Sequence, residues 1–366
     1  MEKISVFDIF KIGVGPSSSH TMGPWLAARR FVNEVPREKR ACLSRISIDL
    51  YGSLAKTGRG HGTHIAVQLG LCGADPETID VATIAERIDQ IALAKRIRLE
   101  DGMELPFEPD TDIRFNTEEQ LPAHPNALRI AAQLDDRSEL ESVFYSTGGG
   151  FVVKEGVPPR PSIESLPFPI DTAQDLLGYC HANTCRIADV VMQNELAWRD
   201  RSEIDDGLRR IRNAMLSSIH RGCLAEGELP GGLRVHRRAA AMSRRLLSAP
   251  CPRERDTWFA TLRQQPCQFE QVVDWVSCFA LAVNEENAAY GRIVTAPTNG
   301  AAGVIPAVLL YCQCFCAVPA DVHANFLLTA GQIGCIFKHC ATISAALGGC
   351  QAEIGVSSAM AAAALT

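Results

Sequence analysis

Three histidines stand in loops whose composition suits proton transfer. His20 lies in the run G-V-G-P-S-S-S-H-T over residues 13–21, His61 in T-G-R-G-H-G-T-H over 57–64, and His124 in L-P-A-H-P-N over 121–126. An imidazole titrates near neutral pH, so a loop histidine can take up and return a proton during a reaction. A histidine in such a place also serves as an ordinary surface or capping residue, and spacing leaves both roles open for each of the three. Ser17, Ser18, Ser19 and Thr21 surround His20, and hydroxyls in a row compete for backbone hydrogen bonds, which favours a polar loop over a helix interior.

A second stretch, N-E-E-N-A-A-Y-G-R-I-V-T-A-P-T-N-G-A-A-G over 284–303, has the form of an anion site. It follows a helix from Trp275 to Ala289, rises through Ile293, Val294 and Thr295, turns at Pro297, and starts a new helix at Ala301. Thr298, Asn299 and Gly300 would then aim side-chain oxygens, an amide and backbone N–H groups at one point favoured by the helix dipole, which suits a small carboxylate. The plainer alternative is that Thr298 or Asn299 only caps that helix.

Cysteine gives weaker signals. Cys350 lies in G-G-C-Q-A-E-I-G, where glycines let the backbone approach a ligand. Cys312, Cys314 and Cys316 form a C-x-C-x-C run, but Cys314 faces away from the other two on a helix, so they read as small core residues, as do Cys335 and Cys340. Arg234, Arg237, Arg238, Arg244 and Arg245 could hold a carboxylate, although a solvated helix face explains most of them.

The elements that must position these residues fall into two parts. A chain of 366 residues exceeds one compact core, and 46% hydrophobic with 21% charged residues describes a globular protein. A net charge of -6 argues against a nucleic-acid surface, and Asp8 and Lys11 break the N-terminal apolar run, so it does not read as a signal peptide. This reading places the chain in the cytoplasm, with its fourteen cysteines reduced. Ala301–Ala320 is uncharged and long enough to span a bilayer, but no basic cluster or aromatic belt flanks it, so it reads as a buried helix and not a membrane span. Residues 1–157 mix helices with strands near 46–50, 95–99, 103–107, 111–116, 127–134, 140–146 and 151–154. The segment 158–169 belongs to a Pro-rich connection, with five prolines between Glu155 and Pro169. Beyond it, 170–366 has helical periodicity throughout. The fold class is an α+β N-terminal domain followed by an all-α domain.

Seven segments together closely resemble the bacterial iron-sulfur L-serine dehydratases. They are residues 5–21, 51–63, 145–151 (Y-S-T-G-G-G-F), 193–197 (Q-N-E-L-A), 229–239 (L-P-G-G-L-R-V-H-R-R-A), 284–303 and 349–356. They run over the whole chain in the family's order and match its single-chain form, in which the α+β domain precedes the helical catalytic domain. The resemblance implies deamination of L-serine to pyruvate and ammonia on a [4Fe-4S] cluster, held by three thiolates and leaving one iron open as a Lewis acid. It makes His61 the first candidate for the base and His20 the second. Ser17, Ser18, Ser19, Thr21, Thr298, Asn299 and Gly300 become substrate-binding residues. Lys338 has a counterpart in the family, and a charge in so apolar a helix usually has a partner or a task. The resemblance also suggests a homodimer, and a regulatory serine site in the N-terminal domain.

Cys350 matches the first cluster cysteine. The family's other two belong to a later segment, L-T-C-D-P followed by V-P-C, with no match before Thr366, so the sequence reads as C-terminally truncated. Two other functions stay open. One is an inactive remnant that serves as an assembly partner or amino-acid-binding module. The other is a pyridoxal-phosphate dehydratase, for which Lys338 is the only lysine beyond Lys154 and lacks an adjacent phosphate loop.

Overall fold

The computed structural model describes residues 3–158, 166–247, 252–265, 267–316, 318 and 322–366. The chain groups into two compact units, Gly13–Pro159, and Met1–Ile12 together with Arg160–Thr366. Of the expected Pro-rich connection, residues 159–165 lie outside the described ones. Residues 1–12, assigned from sequence to the N-terminal domain, group instead with the helical unit. There Ser5 Oγ and the Val6 amide donate to the Glu195 carboxylate at 2.8 and 2.9 Å, and the Thr295 amide donates to Lys11 O at 2.9 Å. A buried carboxylate on a distant helix anchors this segment, and local sequence carries no mark of that pairing.

The Gly13–Pro159 unit is built on a five-stranded sheet. Its spatial order is Ile113–Asn116, Leu43–Tyr51, Asn126–Leu134, Glu139–Ser146 and Val152–Lys154. The first pair is parallel and the rest are antiparallel. Alternation along Leu43–Tyr51 puts Ile46, Ile48 and Leu50 on one face, opposite Ala132, Ile130 and Leu128. These residues share a buried cluster with Ala27, Phe31 and Val32 of the helix Gly23–Glu34 and with Val67 and Leu71 of Thr63–Leu71. Asp49 points to the other face, where Arg114 grips it with two bonds of 2.6 and 2.8 Å. Burial pulls the Asp49 carboxyl upward, but the bonds to Arg114 and Asn116 outweigh it and hold the group below the usual range. The strand expected over 111–116 is shorter, because Pro109–Asp112 forms a helical turn first.

In the other unit the helices Arg201–Leu224 and Phe269–Ala288 flank an aromatic core. Trp275 stacks on Phe279 with ring centres 5.4 Å apart, and Trp258 meets both edge-on. The helix Ile187–Glu195 is followed by one that begins behind the capping residue Asp200. The described residues of the uncharged segment 301–320 include the helix Val304–Phe315, with Leu309 and Leu310 in the core. Among the described residues no helix is long and apolar enough to cross a membrane.

Candidate functional site

In the Gly13–Pro159 unit the serine run forms one turn of π-helix, Ser18–Met22, where a loop was expected. The hydroxyls that disfavour a long helix are what cap this short one. Ser17 Oγ accepts from the His20 amide at 3.1 Å, and the amides of Thr21 and Met22 both donate to Ser17 O at 3.0 Å. Ser18, Ser19, His20 and Thr21 are all buried. His61 comes from a second loop, in which Gly62 takes the left-handed conformation that turns the chain into the helix Thr63–Leu71. The two loops brace each other, since Thr21 Oγ1 donates to His61 O at 2.8 Å and Thr63 Oγ1 donates to His20 O at 2.6 Å. Their imidazoles lie with ring centres 4.8 Å apart.

The two rings differ in what their nitrogens meet. His61 Nδ1 lies 2.9 Å from Thr57 O, and because a carbonyl only accepts, Nδ1 carries the hydrogen in the neutral ring and Nε2 keeps its lone pair. His20 has Nδ1 at 2.9 Å from Ser19 Oγ and Nε2 at 3.0 Å from Ser53 Oγ, so hydroxyls occupy both nitrogens. Burial, then the neighbouring His61, push His20 down to about 4, against a smaller upward pull from the bond to Ser53. His20 is therefore uncharged at neutral pH. The remaining loop histidine, His124, accepts from the Asn126 amide at 3.0 Å within its own turn.

A depressed histidine makes folding sensitive to acid. The unfolded imidazole binds its proton near pH 6.5 and the folded one only near 4, so His20's contribution is fully present above pH 6.5 and is lost as pH falls toward 4. The shift corresponds to a loss on the order of 3 kcal/mol. We expect the melting temperature of the wild type to fall between pH 6.5 and 4 more steeply than that of His20→Asn. Parallel curves would refute this assignment.

In the helical unit the 284–303 stretch departs from its sequence reading at one point. The helix begins at Val304 behind Gly303, three residues later than expected, and neither Thr298 nor Asn299 caps it. Thr298 and Asn299 lie instead in the turn, 1% and 0% exposed. Thr298 Oγ1 is buried without a hydrogen-bond partner among the described residues. Ser357 Oγ holds the turn by donating to Ala296 O at 2.6 Å. Gly300 is exposed, and a Cβ placed on it would stand 2.7 Å from Glu353 Oε2.

Two residues that the sequence reading did not single out organise the surroundings of this turn. Glu286, 6% exposed, accepts from Arg237 Nη1 at 2.9 Å and from Arg221 Nε at 3.0 Å. Glu285, also buried, accepts from the amides of Arg238 and Ala239 at 2.7 and 3.3 Å, and so caps the helix Ala239–Leu246 from another helix. Arg237 is thus a buried ion-pair partner and not part of a solvated face. Two adjacent acids near the end of an apolar helix were the available signal.

Burial disfavours the thiolate form of the cysteines in and around the core. Burial, and then Cys316, push Cys312 up to about 11; burial pushes Cys314 up to about 12 and Cys335 well above the usual thiol range. Cys335 Sγ donates to Ile4 O; Cys340, expected in the core, is exposed instead, and its Sγ donates to Asp171 O. Cys350 is exposed beside the kink at Gly349 in the helix Ala345–Leu365, and Lys338 lies half-buried in the last turn of Val322–Cys340. Among the described residues no three His, Cys, Asp or Glu side chains converge as metal ligands do.

The family pattern described as "Serine dehydratase beta chain" matches residues 5–157, and the one described as "Serine dehydratase alpha chain" matches 182–366. Three relatives are 43% identical to this chain over 99% of its length and 78% of their own. They are L-serine dehydratase 1 and L-serine dehydratase 2 of Escherichia coli and the L-serine dehydratase of Streptomyces coelicolor. Both family patterns, in this order on one polypeptide, and identity across almost all of it lead to one conclusion: the chain belongs to the family of bacterial single-chain L-serine dehydratases.

Proposed function

We propose that this chain is an L-serine ammonia-lyase in which His61 removes the α-proton. The observation that carries the assignment is the 2.9 Å contact of His61 Nδ1 with Thr57 O, a carbonyl that can only accept and so favours the tautomer with Nε2 as the basic atom. His20 is the second candidate, and its uncharged ring lets His61 acquire a proton without repulsion from its neighbour. By the resemblance, Ser17, Ser18, Ser19, Thr21, Thr298, Asn299 and Gly300 are the substrate-binding residues. Lys338 belongs to the same proposed catalytic set. Once the α-proton and β-hydroxyl are gone, the aminoacrylate tautomerises to an imine that water converts to pyruvate and ammonia.

The [4Fe-4S] cluster implied by the resemblance would take Cys350 as a ligand. The roles assigned here to the chain's own groups are binding and proton transfer. The second reading is an amino-acid-binding module without turnover. Incubating the chain with L-serine under anaerobic conditions, after reconstitution with iron and sulfide, separates the two. Pyruvate and ammonia in equal amounts support the lyase. Calorimetric binding of serine without pyruvate supports the module, and neither signal rejects both. A homodimer and a regulatory serine site belong to the same proposal and rest on the resemblance; a cytoplasmic setting belongs to it too and rests on the N-terminal run not reading as a signal peptide.

Thr298 gives a sharper test. Its hydroxyl has no partner among the described residues, so Thr298→Val leaves no new unsatisfied group, and the melting temperature should stay level or rise. If Thr298 holds the substrate carboxylate, the apparent affinity for serine falls by about tenfold. An unchanged affinity would remove Thr298 from the site.

A further inference from the structure

The helices Arg201–Leu224, Arg255–Gln264 and Val304–Phe315 border a cavity of about 120 Å³ lined by Arg212, Asn213, Arg255, Asp256, Arg263 and Gln313 among others. Three guanidinium groups therefore face one carboxylate, and that carboxylate is engaged, since Asp256 accepts from Arg255 Nε at 3.1 Å. Arg212 has no ion-pair partner among the described residues. Its Nη1 and Nη2 reach only the neutral oxygens of Asn213 and Gln313, both at 3.4 Å, and its Nε is buried without a partner. Gln313 Nε2 is likewise buried without a partner among the described residues. Burial, then repulsion from Arg255 and Arg263, hold Arg212 below the usual arginine range.

A lining of unused donors and excess positive charge is costly unless a ligand supplies acceptors and negative charge. The arginine fork matches a tetrahedral oxyanion, which can accept from several such groups at once. We propose that this cavity binds a small, multiply charged oxyanion of the phosphate class, either inorganic phosphate or the phosphate of a monoester. The site lies wholly within the helical unit and is independent of the lyase assignment.

Thermal unfolding of the full chain tests the proposal, using sodium phosphate or glycerol phosphate against sodium chloride at equal ionic strength. Phosphate should raise the melting temperature in a saturable way that chloride does not reproduce. Arg212→Gln and Arg263→Gln should each weaken the apparent affinity by about tenfold or more. Without phosphate, Arg212→Gln should melt no lower than the wild type, because it relieves repulsion. A wild-type response equal to that in chloride, or variants that respond as the wild type does, would overturn the proposal. If Arg212→Gln does not fold, Arg263→Gln decides, since that residue is exposed. A larger shift with the monoester identifies the ligand as a phosphorylated metabolite, and a larger shift with phosphate identifies the free ion. Activity is not the readout, so failure here leaves the lyase reading untouched.

Discussion

His61→Asn should lower kcat for serine deamination by about 10²–10⁴-fold while leaving the fold intact. The asparagine amide can still donate toward Thr57 O, as His61 Nδ1 does at 2.9 Å, but no atom replaces the lone pair on Nε2. What is lost is proton transfer and not the loop. His20→Asn tests the other candidate and should behave differently. It removes contacts to Ser19 and Ser53, so its effect should include lower stability at neutral pH and a flatter response to acid. Melting curves together with steady-state rates separate the two. If His61→Asn kept more than about a tenth of the wild-type kcat, His61 would not be the base.

Glu286→Ala should be the most destabilising single change considered for the helical unit. It leaves Arg237, whose side chain is 10% exposed, as a buried charge without its carboxylate, and it also frees Arg221. Breaking one side of a buried ion pair typically costs about 3–5 kcal/mol. In a domain of this size that lowers the melting temperature by on the order of 10 °C. Arg221 donates to Arg292 O as well, so the loss reaches the strand that leads into Thr295 and the Thr298 turn. The double variant Glu286→Ala with Arg237→Met should recover part of the loss, because it removes the stranded charge. Equal melting temperatures for wild type and Glu286→Ala would mean that water compensates Arg237, contrary to its burial.

The sequence carried the division into a mixed α/β part and a helical part, because strand alternation and helical spacing are local patterns. Ile46, Ile48 and Leu50 announce a strand and its buried face without help from the rest of the chain. The motifs with His20, His61, Thr298 and Cys350 were legible for the same reason, as short runs of reactive or turn-forming residues. Element ends were less legible. The start of Ala239–Leu246 is set by Glu285, and the N-terminal segment is anchored by Glu195, and both contacts join residues far apart in sequence.

What the tertiary structure alone decided is the state of each functional group. Which nitrogen of His61 is basic depends on one carbonyl from Thr57, and the lowered basicity of His20 depends on burial and on His61 beside it. Thr298, for which the sequence left a helix cap as the plainer alternative, is a buried hydroxyl without a partner among the described residues, because the helix starts at Val304. Residue type and spacing determine which chemistry is available. Desolvation and hydrogen-bond partners, which come from distant parts of the chain, determine which atom is available for it.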